Sequence, residues 1–501
     1  MSCVLGLDIG TTSTIGILID LSGATRALAS RPVTLHHPHP GWAEENPRQW
    51  WENVCSLVPE LLAGAGIDAA QVKAVGVAGM LPAVVLLDGD GELLRNSIQQ
   101  SDGRCGEEVA ELRAERDAGE FVRHTGNGIN QQLVAAKLRW IERHEPQLFP
   151  RIATVFGSYD YIGWRLTGAR RIEHNWALEA GFIELARHRI DPGLVALAHL
   201  RAEQLPRLAA SHEVVGTVSA EAAAATGLLA GTPVVAGAAD LVASAFAAGI
   251  AKPGDALVKL GGSGDVLMSS DRAAPDARLF LDYHLVPGLY LPNGCMACSG
   301  SLLNWFAANF GRGADQSGQR SRHASLDALA AAVAPGSEGV RALPYFLGEK
   351  TPIHDPAARG TFTGLSLSHG LGHVWRSLLE GVAFGVRHHF DVFAEMGMKP
   401  TRMLASDGGA ASDVWLQIIA DVLQQPIARL EGHPGSCLGA AWLAAMGTGL
   451  ARDWQGVSAY VRESGQVEPI AANAPACDRA YAEYRSLYET LRPWFAVASR
   501  P

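Results

Sequence analysis

Apolar and small polar residues alternate in a way that predicts two β-hairpins, one near the start of the chain and one halfway along it. The first is VLGLDIGTTSTIGILID, residues 4–20, in which two apolar runs flank a turn of Gly, Thr and Ser. The second is ALVKLGGSGDVLM, residues 256–268, with a Gly-Gly-Ser-Gly turn in the same place. Aligning Asp8 with Lys259 sets the two copies 251 residues apart, half the chain. This repetition predicts two domains of similar fold.

Strand-like and helix-like runs alternate along both halves. In the first half, VKAVGVAGM and AVVLLDGDGELL predict strands, and residues 135–144 predict an amphipathic helix that ends before Pro146. PVVAGAAD predicts a buried strand that leads into Asp240 and a helix of small residues. The second half contains a predicted long helix at 373–393, the strand MLASDGGA and a helix at 414–423. Strands that alternate with helices are typical of an α/β fold with central sheets.

A break in this pattern halfway along the chain predicts the domain boundary. Lys252-Pro-Gly-Asp255 interrupts an apolar helix. The first domain is therefore expected to span residues 1–250 and the second residues 251–501.

Composition and charge narrow the class of protein. With 48% hydrophobic and 18% charged residues, the chain has the make-up of an ordinary globular protein. Its net charge of −10 would repel a nucleic-acid backbone or an anionic membrane, so neither is an expected partner. The start of the chain lacks the basic segment of a signal peptide, and the seven cysteines are too irregularly spaced for a disulfide framework. A cytoplasmic protein is expected.

The turn of the first hairpin carries a carboxylate and three hydroxyls. Asp8 ends the first apolar run and is followed by Gly10, Thr11, Thr12 and Ser13. Such a turn can present backbone N–H groups and hydroxyls to a phosphate while Asp8 holds a divalent cation, directly or through water. The alternative is a plain hairpin turn, where Gly, Thr and Asp are common.

The turn of the second hairpin is rich in glycine and has the equivalent place in the repeat. Gly261, Gly262 and Ser263 form it together with Gly264. Gly-Ser turns are common, but two such loops in a duplicated fold could clamp one polyphosphate from both sides. Neither loop is a Walker A motif, and the motif set of protein kinases is missing from the sequence.

Three longer motifs give the chain a resemblance to the FGGY family of carbohydrate kinases. GTFTGL at residues 360–365 is followed, seven residues later, by HVWRSLLE at 373–380, which matches the family's second signature. The later half of the first signature resembles KLRWIERH at 137–144, although Gln132 and Val134 replace the aromatic residue and the small hydroxyl residue that usually precede it. The run from Leu343 to Gly360 is also similar to the family's, so the resemblance covers nearly the whole chain.

The resemblance implies a fold and a set of ligands. The fold would be two duplicated ribonuclease-H-like, actin-like ATPase domains with a central cleft, and the ligands ATP, Mg2+ and a sugar. Asp240, in the context Gly237-Ala-Ala-Asp240, matches the family's catalytic aspartate. At a helix N-terminus its carboxylate would stay ionised and accept the proton of the attacking sugar hydroxyl. The alternative for an Asp in this position is a helix N-cap.

A further glycine pair resembles the family's adenosine loop. Gly408 and Gly409 follow Asp407 and precede Ser412 at the start of a predicted helix. Without side chains, a Gly pair lets the backbone approach an adenine or a ribose closely. The alternative is an ordinary turn between a strand and a helix.

The segments predicted to bind the sugar differ most from the family's sequence pattern. Asp102 and Arg104 match its Asp-x-Arg segment, and Asp102 could accept a hydrogen bond from a substrate hydroxyl. Met80-Leu81-Pro82 stands where xylulose kinases carry Gln-Met-His and glycerol kinases Gln-Arg-Glu, which places Leu81 against the substrate and argues against glycerol. Gln100 replaces the usual Trp, and whether Gln100 and Gln132 contact the sugar is left open.

These observations predict a kinase that phosphorylates a sugar hydroxyl with ATP. A ketopentose such as xylulose is the expected substrate, and another ketose, a polyol or a signalling sugar is the alternative. A non-catalytic, actin-like nucleotide switch is the alternative from a different class. A homodimer is a further expectation.

Overall fold

The structure is a computed structural model that describes residues 2–312, 321–432 and 435–498. The strands, in chain order, are β1 Cys3–Ile9, β2 Ser13–Asp20, β3 Thr25–Pro32, β4 Glu44–Glu45, β5 Val72–Gly79, β6 Val85–Leu87, β7 Ser97–Ile98, β8 Thr154–Phe156, β9 Arg171–Glu173, β10 Ile183–Glu184, β11 Arg189–Ile190, β12 Arg207–Ala209, β13 Val214–Thr217, β14 Pro233–Val235, β15 Ala238–Ala239, β16 Asp255–Leu260, β17 Gly264–Met268, β18 Phe280–Tyr283, β19 Tyr290–Met296, β20 Arg341–Leu343, β21 Thr361–Thr363, β22 Arg402–Ser406, β23 Ile427–Glu431 and β24 Arg462–Val467. The helices are α1 Pro47–Ala65, α2 Gly106–Glu115, α3 Ala118–Thr125, α4 Val134–His144, α5 Ser158–Thr167, α6 His174–Glu179, α7 Pro192–Leu197, α8 Ala220–Thr226, α9 Asp240–Ala247, α10 Gly300–Phe310, α11 Arg322–Ala331, α12 Leu371–Glu395, α13 Asp413–Leu423, α14 Ser436–Gly447 and α15 Ala474–Ala498.

Two sheets repeat one plan, as the paired hairpins predict. In the first, the hydrogen-bonded order is β13-β14-β5-β1-β2-β3; β1 runs antiparallel to β2 and parallel to β5. In the second, the order from β19 onward is β19-β17-β16-β22-β23-β24; β16 runs antiparallel to β17 and parallel to β22. Each hairpin therefore lies at the centre of its sheet. Its turn lies at the end of the sheet where the neighbouring parallel strand also ends.

The chain divides into two compact units, each discontinuous in sequence. Unit 1 contains residues 1–251, 271–291 and 434–461, and unit 2 contains residues 252–270, 292–433 and 462–501. The predicted boundary after residue 250 lies one residue from the first crossing between the units. The single boundary differs from the structure because two later segments return to unit 1.

Close packing and side-chain amides explain why these two segments belong to unit 1. Helix α14 lies against β1 and β5, where a Cβ atom at Gly6 or Gly76 would overlap backbone carbonyl oxygens of the helix. In the other segment, the amide of Asn127 both donates to and accepts from the backbone of Leu281, at 2.9 Å each. Asn175 pairs with the backbone of Tyr283 in the same way.

The strand predicted at PVVAGAAD is broken in the structure. The chain leaves the sheet after β14 and returns as β15, and Gly237 between them has a φ of 106°. A Cβ atom at residue 237 would overlap the carbonyl oxygen of Val77 on β5, so only glycine fits there. The strand predicted over AVVLLDGDGELL is also shorter than expected. It ends at Leu87 because Asp88 accepts backbone N–H bonds from Asp90 and Glu92 and closes a turn.

The helices predicted at 135–144, 373–393 and 414–423 are confirmed as α4, α12 and α13. In the described part of the chain, every helix is too short or too polar to cross a membrane. The predicted cytoplasmic location stays a prediction.

Candidate active site

Three parallel strands of unit 1 end at one sheet edge and bring the predicted chemistry together. Ile9 at the end of β1 pairs with Gly79 at the end of β5, and Gly79 pairs with Ala239 at the end of β15. The next residues along the chain are Gly10, Met80 and Asp240. Because neighbouring strands lie about 4.8 Å apart, this register places the hairpin turn and Asp240 on either side of Met80, two strand spacings apart.

The hairpin turn is closed by its own backbone. The N–H of Gly10 donates to the carbonyl oxygen of Ser13 at 3.0 Å. Asp8, one residue before the end of β1, is buried to all but 8% of its surface. Thr11 and Ser13 are half-buried and Thr12 is exposed, so all three hydroxyl residues of the turn have more exposed surface than Asp8.

Asp240 is the first residue of α9, with Ala239 as the N-cap residue. Its Oδ1 accepts the backbone N–H of Leu241 at 2.7 Å, and the residue is half-buried. The helix N-terminus favours the ionised carboxylate, as the sequence predicts. Asp240 therefore occupies the predicted position at a strand-to-helix junction, one residue inside the helix and not at the N-cap.

The apolar segment at the end of β5 is largely enclosed. Met80 is 2% exposed, Pro82 is buried and Leu81 is half-buried. Leu81 therefore has the largest solvent-exposed fraction of the three. The carbonyl oxygen of Met80 accepts a hydrogen bond from Ser158 Oγ at 2.7 Å. This bond fixes the strand end beside Asp240.

The side chains of Asp102 and Arg104 are buried, and the predicted contact of these residues with substrate stays a prediction. Asp102 is 1% exposed; its Oδ2 accepts from the Ala43 N–H at 2.6 Å and from Arg104 Nη2 at 2.7 Å, and its Oδ1 accepts from Arg104 Nε at 2.8 Å. Burial acts to raise the pKa of Asp102, but hydrogen bonds from Arg104 and Ala43 hold it below its ordinary value. Both carboxylate oxygens are thus engaged, and the geometry favours positioning of the loop over direct binding of a hydroxyl.

Arg104 is held in an aromatic and acidic cluster. Its guanidinium carbon lies 3.8 Å from the ring centroid of Trp42 and 4.9 Å from that of Trp140, and Nη2 lies 2.8 Å from Glu44. The segment Gly41 to Glu44 and the first signature motif, which contains Trp140, therefore clamp the Asp102 loop. Sequence resemblance marked the signature motif and the Asp102 segment but gave no sign that they pack together.

Lys137, also in the first signature motif, supports the same loop from within the core. It is completely buried, and Nζ donates to the carbonyl oxygen of Gln99 at 2.7 Å. Burial lowers the pKa of Lys137 to about 8. Gln100 and Gln132 are half-buried, and their role toward a substrate stays open.

Glu45, beside this cluster on β4, is expected to make stability depend on pH. It is fully buried and accepts one hydrogen bond, from Trp50 at 2.8 Å, and burial raises its pKa to about 8. The folded state therefore holds a proton that the unfolded chain releases near pH 4.5, so this group lowers the free energy of unfolding as pH rises from about 4.5 to 8. Since glutamine cannot ionise, Glu45→Gln should gain stability relative to wild type between pH 5 and pH 8. Urea unfolding of both proteins at pH 5 and pH 8 tests this. If the difference in free energy of unfolding between the variant and wild type were the same at both pH values, the prediction would be wrong.

Unit 2 contains a pocket that joins its two predicted loops. A cavity of about 490 Å³ is lined by Gly261 and Gly262 of the second hairpin and by Gly408, Gly409 and Ser412 of the predicted adenosine loop. Its other lining residues are Leu260, Gly300, Leu303, Asn304, Ser321, His323, Ala324, Asp327, Trp375, Leu379, Ala411 and Trp415. Ser263 lies in the same hairpin turn but does not line this cavity.

The glycines of this pocket have two different roles. Cβ atoms at Gly262 and Gly408 would meet nothing within 4 Å, so these two positions border open space. A Cβ at Gly409 would overlap the Trp415 ring, and one at Gly300 would lie 2.6 Å from the carbonyl oxygen of Gly261. The second pair therefore allows the hairpin turn, the adenosine loop and the start of α10 to pack closely.

Asp327 on α11 organises the pocket wall and had no signal in the sequence. Its Oδ1 accepts from Trp375 Nε1 and its Oδ2 accepts from Ser412 Oγ, each at 2.7 Å. Ser412 in turn caps α13 by accepting the Trp415 N–H. One carboxylate thus ties three helices around the cavity.

Comparison with known proteins decides the family. The family model described as the FGGY family of carbohydrate kinases, N-terminal domain, matches residues 3–247, and its C-terminal counterpart matches residues 256–448. The chain belongs to the FGGY family of carbohydrate kinases. It has the two-domain fold of these enzymes, and ATP is the substrate that this kinase family implies. The predicted fold class and enzyme class are confirmed.

Individual FGGY relatives align over nearly their whole length. The crystal structure of xylulose kinase from Rhodospirillum rubrum is 56% identical, with a TM-score of 0.93 over 99% of this chain and all of that one. The xylulose kinase of Escherichia coli strain K12 is 31% identical over 98% of this chain and 100% of its own. A glycerol kinase from Aromatoleum aromaticum is also 31% identical, over 99% and 100%. Identity near 30% within this family therefore does not separate substrates.

Asp102→Ala is expected to weaken use of the sugar by this FGGY kinase and to leave use of ATP nearly unchanged. Loss of the carboxylate leaves the buried Arg104 without its main partner, so the loop that it holds should shift. We expect KM for the preferred sugar to rise at least about tenfold, or about 1.4 kcal/mol. Steady-state kinetics against Asp117→Ala, which removes an exposed helix-capping Asp of the same unit, provides the comparison. A normal sugar KM in Asp102→Ala would contradict this assignment.

Proposed function

We propose that this kinase transfers the γ-phosphoryl group of ATP to a hydroxyl of xylulose. The observation that carries the substrate is the 56% identity to the Rhodospirillum rubrum xylulose kinase across 99% of this chain. Glycerol is disfavoured, because Met80, Leu81 and Pro82 offer neither the arginine nor the glutamate that glycerol kinases carry in this segment. The family membership also disfavours a nucleotide switch that needs no sugar.

Asp240 is the proposed general base. Its half-buried carboxylate lies at the N-terminus of α9, beside the ends of β1 and β5. Phosphoryl transfer requires mainly positioning and neutralisation of charge, so a single base that accepts the proton of the sugar hydroxyl is sufficient. Leu81 would contact the sugar, and Asp102 and Arg104 would hold the loop that contacts it.

The turn after β1 is the proposed phosphate loop of unit 1, with Mg2+ as the metal. Asp8, Thr11, Thr12 and Ser13 would offer only oxygen donors, the type of ligand that Mg2+ prefers. Among the described residues no cluster of three His, Cys, Asp or Glu side chains could hold a metal. This agrees with Mg2+, which is commonly held by one or two carboxylates together with water and substrate phosphates. Bound Mg2+ would neutralise charge on the phosphates, and Asp8 would orient it.

The 490 Å³ cavity of unit 2 is the proposed nucleotide pocket. Gly408 borders open space and would let the adenosine lie against the backbone, while Gly409 and Ser412 shape the wall. Gly261, Gly262 and Ser263 would meet the phosphates with backbone N–H groups. A homodimer, a cytoplasmic location and the lack of nucleic-acid partners also remain proposals.

A substrate panel tests the assigned sugar. We expect kcat/KM to be highest for xylulose when ADP release is measured with xylulose, ribulose, xylitol, glycerol and gluconate. A higher kcat/KM for another member of the panel would replace xylulose as the substrate and leave the kinase assignment intact.

A further inference from the structure

The segment that carries Asp240 is anchored where it leaves the sheet. Between β14 and β15, the N–H of Ala236 donates to the carbonyl oxygen of Glu213 at 2.9 Å, and the N–H of Gly237 donates to that of Ser211 at 3.1 Å. Asp240 follows Gly237 by three residues. The position of the carboxylate therefore depends on what fixes Ser211.

A buried carboxylate fixes Ser211. Glu173 Oε1 accepts from Ser211 Oγ at 2.6 Å, and Oε2 accepts from Tyr159 OH at 2.8 Å. The backbone N–H groups of Asn175 and Trp176 donate to the same Oε2 at 2.8 and 3.2 Å. Glu173 and Tyr159 are 0% exposed, so these donors replace water completely.

Tyr159 and its neighbour Ser158 link this carboxylate to the segment before Asp240 and to the strand end at Met80. Its ring lies beneath Gly237, where a Cβ atom would be 3.2 Å from Tyr159 Cδ2. The preceding residue, Ser158, donates to the carbonyl oxygen of Met80 at the end of β5. The first turn of α5 thus contacts both the end of β5 at Met80 and the segment between β14 and β15 that leads to Asp240.

We propose that Tyr159, Glu173 and Ser211 form a buttress that positions Asp240 for proton transfer. The inference rests on the proposed role of Asp240 as the base. None of the three is assigned a contact with substrate; they act as positioning residues through the backbone of Gly237. A displacement of a reacting group by about 1 Å can lower the rate on the order of 100-fold. Residues that hold the group in place can therefore have a large effect on kcat.

Tyr159→Phe provides the sharpest test because α5 offers a matched control. Phe keeps the ring beneath Gly237 but removes the hydrogen bond to Glu173. Tyr161, two residues later, is also buried, and its hydroxyl accepts from Arg165 at 3.1 Å. We expect Tyr159→Phe to lower kcat about tenfold, with KM for sugar and ATP within about twofold, and Tyr161→Phe to match wild type. Ser211→Ala, which keeps the backbone bond to Gly237, should lower kcat to a smaller extent and serves if Tyr159→Phe does not fold.

A double-mutant cycle tests the route through Asp240. If the buttress acts by positioning this base, adding Tyr159→Phe to Asp240→Asn should change the residual kcat by less than about twofold. A normal kcat in Tyr159→Phe or an equal loss in Tyr161→Phe would overturn the proposal, as would a full additional tenfold loss in the double variant. A fully active Asp240→Asn would instead refute the proposed base, so the two failures can be told apart.

Discussion

Asp240→Asn is expected to retain fold and ATP binding while kcat falls at least about 100-fold, the usual scale for removal of a general base. Asparagine has the same shape, and its side-chain oxygen can still accept the Leu241 N–H at the start of α9. It cannot accept a proton from a sugar hydroxyl. Because Asp240 is assigned to the sugar hydroxyl and to neither the nucleotide pocket nor the phosphate loops, affinity for ATP should be unchanged.

A residue at the equivalent helix position gives the control for this variant. Asp413 is the first residue of α13, as Asp240 is of α9, but it is exposed and pairs with Arg429. Asp413→Asn should retain kcat within about twofold. Wild-type activity in purified Asp240→Asn would show that another group takes the proton.

Asp8→Ala is expected to weaken the metal-dependent step far more than it weakens sugar binding. We expect the Mg2+ concentration for half-maximal rate to rise by at least about tenfold, within the range found when groups that orient a metal are removed. Additional Mg2+ should therefore restore part of the activity. Rates measured across a Mg2+ titration provide the test.

Asp20 gives a matched carboxylate at the far end of the same hairpin. It is 3% exposed and accepts hydrogen bonds from Ser22 and Ala24 within its own turn. Asp20→Ala should reduce stability without changing the dependence on Mg2+. An unchanged Mg2+ dependence in Asp8→Ala would leave Asp8 as a turn residue only.

Local sequence patterns were sufficient for both hairpins and for helices α4, α12 and α13. The apolar runs around Gly10 and Gly262 predict both hairpins, and parallel pairing of β1, β5 and β15 places Asp8 and Asp240 at the same end of the first sheet. The two predicted glycine loops of unit 2 line one cavity. These features follow from short-range periodicity and turn chemistry, which single-sequence reasoning reads well.

Contacts between residues that are far apart in the sequence could not be predicted from these local patterns. Asp327 lies on an unremarkable helix and acquires its role only through Trp375 and Ser412. Arg104 matches the family's Asp-x-Arg segment, but nothing local indicates that Trp42 and Trp140 enclose it. Burial and partners of polar side chains are set by tertiary packing, so motif positions alone did not distinguish a binding residue from a positioning one.

The most direct test of the central claim is phosphorus NMR of a reaction that contains the purified protein, ATP, Mg2+ and xylulose. The account predicts that a sugar phosphate monoester signal grows one for one with loss of the ATP γ-phosphate, and that neither change occurs without the sugar. Release of inorganic phosphate in place of the ester, or ATP consumption at the same rate without xylulose, would contradict it.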